Sequence, residues 1–187
     1  TLAPGASANC SFEVNSAPGN TSQIWFTDGA ENGIGNFTNE STGGAWQATT
    51  GPDAHSGNNY FSANGSTESP TEAILTLNQP ITLSGVLPVL RFWHWYNLAS
   101  YVNGGIVEIS ADGSPWMNVS NNSFLRNAYQ QVITNANSPL VGQLAFSGNG
   151  EGYILTEIDL SDYAGKTIQW RFRLGSDGET MPANWLI

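Results

Sequence analysis

Side chains able to act as acids, bases, nucleophiles or metal ligands are few in this chain. It has two histidines, His55 and His94, one cysteine, Cys10, and fifteen carboxylates. Neither histidine lies in a His-Glu-x-x-His helix, and no Gly-x-Ser-x-Gly elbow presents a serine. Cys10 has no partner for an internal disulfide. It is either buried as a small apolar residue or paired outside the chain. Glycoside hydrolysis needs two carboxyl groups flanking one bond, and Glu108 and Glu157 are the pair that would have to meet across two sheets. Glu108 alternates with Val107 and Ile109, so it is expected on an outward, solvated position. These residues predict a non-catalytic chain.

Binding chemistry is better supplied. Trp93, Trp95 and Trp116, with Arg91, Arg171 and Arg173, are candidates to line a face opposite the core, where aromatic rings and a few polar groups hold sugars. The other reading has the tryptophans packed under loops and covered by arginines through cation–π contact. Asp28 and Glu31 stand three apart in a glycine-rich turn, which can bend two carboxylates and its carbonyls toward a hard cation such as calcium. Alternatively both are solvated turn residues. Seven Asn-x-Ser/Thr sequons occur, at Asn9, Asn20, Asn36, Asn39, Asn64, Asn118 and Asn121, a number that so much Asn and Ser produces partly by chance. The series Gly148, Gly150, Gly152 lacks the strand-to-helix setting of a phosphate loop.

The formal net charge is -10, so nothing here neutralises a run of phosphates, and nucleic acid is excluded as a partner. Metal cations are the better counter-charge. Asn, Ser, Thr and Gly supply most of the polar surface, a composition expected of an exported β-protein. No apolar run is long enough to span a membrane as a helix.

The elements that must position these residues are strands. The chain is organised around the stretch from Leu87 to Trp116. Leu90, Phe92, His94 and Tyr96 fall on one side of a first strand, and Arg91, Trp93, Trp95 and Asn97 on the other. A second strand, Ile106 to Ser110, closes on the tight turn Ala111-Asp112-Gly113-Ser114. Ala73, Leu75 and Leu77 alternate before this centre. After it, Ile154, Thr156, Ile158 and Leu160 alternate, and then Ile168, Trp170, Phe172 and Leu174. Phe37 and Trp46 read as core anchors on short strands. Residues 118–152 show little period and are expected to form a ligand-side excursion with one or two short strands. No apolar helical period persists for three turns. The prediction is an all-β, two-sheet antiparallel jelly-roll sandwich with Phe92, Tyr96, Ile109, Ile158, Trp170 and Phe172 inside. His94 shares their side and is expected as a hydrogen-bonded core histidine.

Two resemblances refine this. The run TLAPGASANCSFEVN over residues 1–15 resembles the last turn and strand of a bacterial immunoglobulin-like repeat, which implies an upstream domain. Otherwise it is an edge strand added to the main sandwich. Residues 16–22 read as a linker. From residue 23 to 187, FTDGAENGIGNFT, HSGNNYF, LTLNQPITL, LRFWHWYNL, NGGIVEISADGSPW, NAYQQVI, LAFSGNGEGYI, IDLSDYAGKTIQWRFRLGSD and NWLI follow in one order. Together they resemble the MAM-like jelly-roll module attached to secreted peptidases of the immune inhibitor A and fungalysin types, and found also in large surface proteins. That resemblance implies a structural calcium held by Asp28 and Glu31, by carbonyls near His55 and Ser56 together with Asn58, and by an aspartate expected after Ile187. The chain departs from the family at Asn103, where an acidic residue is usual.

The expected function is a non-catalytic extracellular module of a larger secreted or surface protein. It would serve adhesion, glycan or protein binding, or spacing beside neighbouring domains, with self-assembly through the N-terminal strand. The alternative is an accessory domain of a secreted metallopeptidase whose zinc-binding helix lies elsewhere in the polypeptide.

Overall fold

The computed structural model describes residues 13–15, 23–66, 68–84 and 87–187. Cys10, the expected linker at 16–22 and most of the expected immunoglobulin-like strand lie outside the described residues. In chain order the strands are β1 (Glu13–Asn15), β2 (Phe37–Thr42), β3 (Trp46–Thr50), β4 (Asn59–Asn64), β5 (Thr71–Leu77), β6 (Ile81–Thr82), β7 (Val89–Leu98) and β8 (Gly104–Ala111). They continue with β9 (Met117–Asn118), β10 (Phe124–Arg126), β11 (Gln131–Val132), β12 (Leu144–Ala145), β13 (Gly148–Asn149), β14 (Ile154–Asp159), β15 (Thr167–Ser176) and β16 (Ala183–Leu186). Two antiparallel sheets pack face to face. The first runs β10-β14-β7-β16-β4-β3, and the second β2-β5-β15-β8-β9, with β6 also on β15.

β7 is the hub of the first sheet. On one edge it pairs with β14 over Val89 to His94 and with β13 at Asn97 and Leu98. On the other it pairs with β16 over Trp95 to Leu98 and with β1 over Val89 to Arg91. Its side chains alternate as the sequence predicts: Leu90, Phe92, His94, Tyr96 and Leu98 are all buried. β15 does the same for the second sheet with Ile168, Trp170, Phe172 and Leu174. Ile109 and Ile158 are also buried. Full burial of each such side chain contributes roughly 1.5–3 kcal/mol. Between the sheets the rings pack edge to face: Phe92 on Phe172 at 5.1 Å, and Phe172 on Trp185 at 5.8 Å. Phe37 and Trp46 join this core. The β8–β9 hairpin turns through Asp112 and Gly113, both at positive φ, with Ser114 N–H on the Ala111 carbonyl.

Two expectations need correction. Residues 118–152 do not stand apart as a ligand-side excursion, and they carry the four short strands β10 to β13. Ile133, Leu140 and Ala145 from this segment are fully buried and close over the outer face of the second sheet. Gly104 and the Gly175 paired with it make room for them: a Cβ on Gly104 would lie 2.9 Å from Ile133, and one on Gly175 2.6 Å from Leu140. Glu108 is likewise not a solvated residue. It is 5 % exposed, because Trp116 and two arginines pack around it (below).

The His94 ring sits in the middle of the core, and its polar atoms are satisfied there. Trp185 Nε1–H donates to His94 Nδ1 at 3.1 Å, which leaves the proton on Nε2, 2.8 Å from Thr156 Oγ1. Thr156 Oγ1 in turn donates to the Asn127 carbonyl. The chain of bonds ties β16, β7 and β14 together. Burial pushes the His94 pKa down to about 3, against about 6.5 in an unfolded chain. Between those values the unfolded protein binds a proton that the folded one refuses. The stability held by neutral His94 is therefore complete above about pH 6.5 and is lost as the pH falls toward about 3. Urea titrations at about pH 7 and pH 4.5 should show wild type losing roughly 2–3 kcal/mol more than His94→Gln across that interval. Equal losses would mean that the ring carries its proton within the fold.

Candidate groove on the outer face of the first sheet

Because β7 sends its even-numbered side chains inward, Trp93, Trp95 and Asn97 point outward. Cross-strand pairing sets Leu155 beside Trp93, Leu186 beside Trp95 and Asn184 beside Asn97. The loop between β3 and β4 reaches over this face. The His55 ring stacks on Trp93, centroids 4.2 Å apart and planes 16° from parallel, and Tyr153 meets His55 edge-on at 5.3 Å. Tyr153 donates its hydroxyl proton to the Asp53 carbonyl at 2.9 Å, and Trp95 Nε1–H donates to the Gly150 carbonyl at 2.9 Å. Between them lies a groove of about 440 Å³ lined by Pro52, Asp53, His55, Trp95, Tyr153 and Leu186. Partial burial lowers the His55 pKa, so the imidazole is neutral at physiological pH. Rigid aromatic walls with a few polar groups at the rim are suited to stacking against a flat ligand face.

The remaining candidates divide between places. Trp116, Arg171 and Arg173 do not share a face with Trp93 and Trp95, as the first of the two sequence readings required. β15 belongs to the second sheet, so its outward residues point to the opposite side of the molecule. There Arg171 Cζ lies 4.6 Å from the Trp116 ring centroid, and its Nε is 2.5 Å from Glu108 Oε2. Arg173 bridges Glu108 and Glu72. This is the covering arrangement of cation on ring, with every guanidinium matched to a carboxylate. Glu157 sits on the outer face of the first sheet, bound by Arg91 and Arg126. Glu108 and Glu157 therefore lie on opposite outer faces and cannot flank one bond.

The two turns carrying the expected metal ligands do meet. Glu31 Oε1 accepts backbone N–H bonds from Asn58 (2.7 Å) and Asn59 (3.0 Å), and its Oε2 accepts from the Asn59 amide. Ser56 Oγ is buried at the same turn without a hydrogen-bond partner. Asp28 is buried, with its carboxylate occupied by the Ala30 N–H and the Asn36 amide. The His55 ring is turned to Trp93, so only its backbone carbonyl is available to a cation. Among the described residues no three His, Cys, Asp or Glu side chains converge on one point. His55 and Tyr153 are groove residues that sequence reasoning missed as ring partners. An aromatic residue directly after the Gly150–Gly152 turn was the one available signal.

No family model matches this chain, and no curated protein matches it. Among solved structures it is similar to a carbohydrate-binding module of the β-sandwich superfamily described for promiscuous specificity, with a TM-score of 0.49 and 16 % identity. That match covers 84 % of this chain and 57 % of the other. A second similarity is to a structure of the glycoside hydrolase domain of Endo-D from Streptococcus pneumoniae R6, with a TM-score of 0.46 and 21 % identity, over 80 % of this chain and 20 % of that one. The chain thus spans about a fifth and somewhat more than half of these two structures.

The contact between Glu31 and the second turn can be tested by a double-mutant cycle. Gly57 has a φ of 69°, and a Cβ there would overlap the Glu31 carboxylate. Gly57→Ala should cost about 1–3 kcal/mol in urea unfolding, and clearly less in a Glu31→Ala background, where the overlap is gone. Strict additivity would mean that Glu31 does not reach the turn.

Proposed function

We propose that this domain is a non-catalytic glycan-binding module that holds its ligand in the groove beside Trp95. The observation that carries the reading is the aromatic lining: Trp95, Tyr153 and the His55–Trp93 stack surround a space of about 440 Å³ on an outer sheet face. Beside it the same face offers amide side chains at Asn97 and Asn184. On this reading the domain works outside the cell as an attachment module of a larger secreted or surface protein. It is the MAM-like kind of jelly roll suggested by its ordered sequence motifs. Trp95→Ala should weaken binding to a retained glycan by about tenfold or more, a loss of about 1.4 kcal/mol or more, with the far-ultraviolet dichroism unchanged. Trp116→Ala, on the opposite face, should leave affinity as it was. Affinity electrophoresis of both variants on immobilised polysaccharides checks this, and the reverse pattern would move the site to the second sheet.

The calcium reading belongs beside it as a proposal. Its support is that Glu31 already joins the two expected turns, that Ser56 Oγ is buried there unpartnered, and that the carbonyls of both turns are hard oxygen donors. The end of β16 adjoins the same place, since Ile187 exchanges both backbone bonds with Phe61. An ion bound to the folded state alone would add about 2.7 kcal/mol at a hundred times its dissociation constant. Melting curves with calcium and with chelator should therefore separate, and Glu31→Ala should bring them together. Identical curves in the wild type would reject the site.

A further inference from the structure

If the groove beside Trp95 holds a glycan, as proposed above, the placement of charge in the fold restricts which glycan it holds. The chain has five side-chain cations against fifteen carboxylates, and each of the five is engaged away from the groove lining. Arg91 and Arg126 share Glu157, at 2.7 Å and 3.4 Å. Arg171 is held between Glu108 and the Trp116 ring, and Arg173 between Glu108 and Glu72. Lys166 lies over Tyr163, with Nζ 5.6 Å from the ring centroid. Recruiting Arg171 or Arg173 to a ligand would strip a counter-charge from Glu108, whose side chain is only 7 % exposed. That loss is expensive for a carboxylate out of water.

Within the groove lining the one charged side chain is Asp53. The two wall groups best placed to donate a proton to an anion are already committed to backbone carbonyls, Trp95 Nε1–H to Gly150 and Tyr153 O–H to Asp53. A carboxylate or sulfate entering here would be desolvated beside Asp53 with no cation to meet it, inside a protein of net charge -10. An uncharged sugar meets none of these costs, because its apolar ring face stacks on indole and phenol and its hydroxyls stay at the rim. We propose that the groove is selective for uncharged glycans and rejects uronic acids, sialylated and sulfated sugars.

The test uses ligand pairs that share a backbone, one member uncharged and the other anionic: N-acetyllactosamine against its sialylated form, and methyl-esterified against de-esterified oligogalacturonides. Affinities are measured by calorimetry or on an array, at low ionic strength and about pH 7.5. Wild type and Trp95→Ala are compared throughout. The expected result is binding of at least one uncharged member, with its anionic partner weaker by about tenfold or more and both lost in Trp95→Ala. An anionic member that binds as tightly as its uncharged partner, and still depends on Trp95, would overturn the charge selectivity while leaving the groove as the glycan site. Binding of neither member of any pair, or binding indifferent to Trp95→Ala, would instead bring down the groove reading itself, and this proposal with it.

Discussion

A neutral imidazole in the centre of an aromatic core is the interaction on which the first sheet depends. His94 accepts from Trp185 with one nitrogen and faces Thr156 with the other, so three neighbouring strands are pinned to one another by side chains as well as by their backbone ladders. The position of this ring also decides the outer surface. Trp93 and Trp95 are its immediate neighbours in the chain. Holding His94 inward obliges both indoles to point outward, where Trp95 lines the groove and Trp93 backs the His55 ring that lines it. A slip of one residue in β7 would exchange the two faces, placing tryptophans in the core and the histidine in water. The buried hydrogen-bond chain and the aromatic packing oppose such a slip together.

A second polar construction holds the loops at the end of the sandwich where β8 begins. Asn103 is fully buried; its amide donates to the Thr180 and Pro182 carbonyls while its Oδ1 accepts the Asp177 N–H. Asp177 receives the Glu179 and Thr180 N–H groups, the Thr180 hydroxyl and the Asn135 amide. These bonds hold its carboxyl below the usual range, although burial acts the other way. Asn103 carries an amide rather than a carboxylate for a physical reason. A carboxylate there would turn two acceptor oxygens toward two carbonyls, where only a donor is tolerated.

The charges follow one rule on both outer faces. The first sheet pairs Arg91 and Arg126 with Glu157, and the second pairs Arg171 and Arg173 with Glu108 and Glu72. The scarce arginines are taken up by ion pairs on the sheet faces, and the excess of carboxylates is left without cations. An acidic protein with saturated arginines has little with which to attract an anion. What it can offer a ligand is aromatic surface, carbonyls and amides, together with carboxylates for a cation.

Strand identity was legible from the sequence because period-two alternation is a local property. The faces of β7, β14 and β15 were all readable, as were the Asp112-Gly113 turn and the burial of Phe92, Ile158 and Trp170. His94 was recognisable as a core histidine for the same reason: it keeps step with Leu90 and Phe92. Local alternation says which residues share a side of one strand, and nothing about which sheet that strand joins. Trp95 and Trp116 therefore could be read as members of one surface until pairing placed β7 in one sheet and β9, which follows Trp116, in the other. The stacking of His55 on Trp93, the burial of Glu108 and the folding of residues 118–152 over the second sheet were equally out of reach. Each depends on contacts between residues far apart in the chain, which local alternation cannot register. The sequence by itself determined the strands, their inner faces and the acidic, cation-poor balance. Only the tertiary structure decided which outward residues meet, and with that, where a ligand can lie.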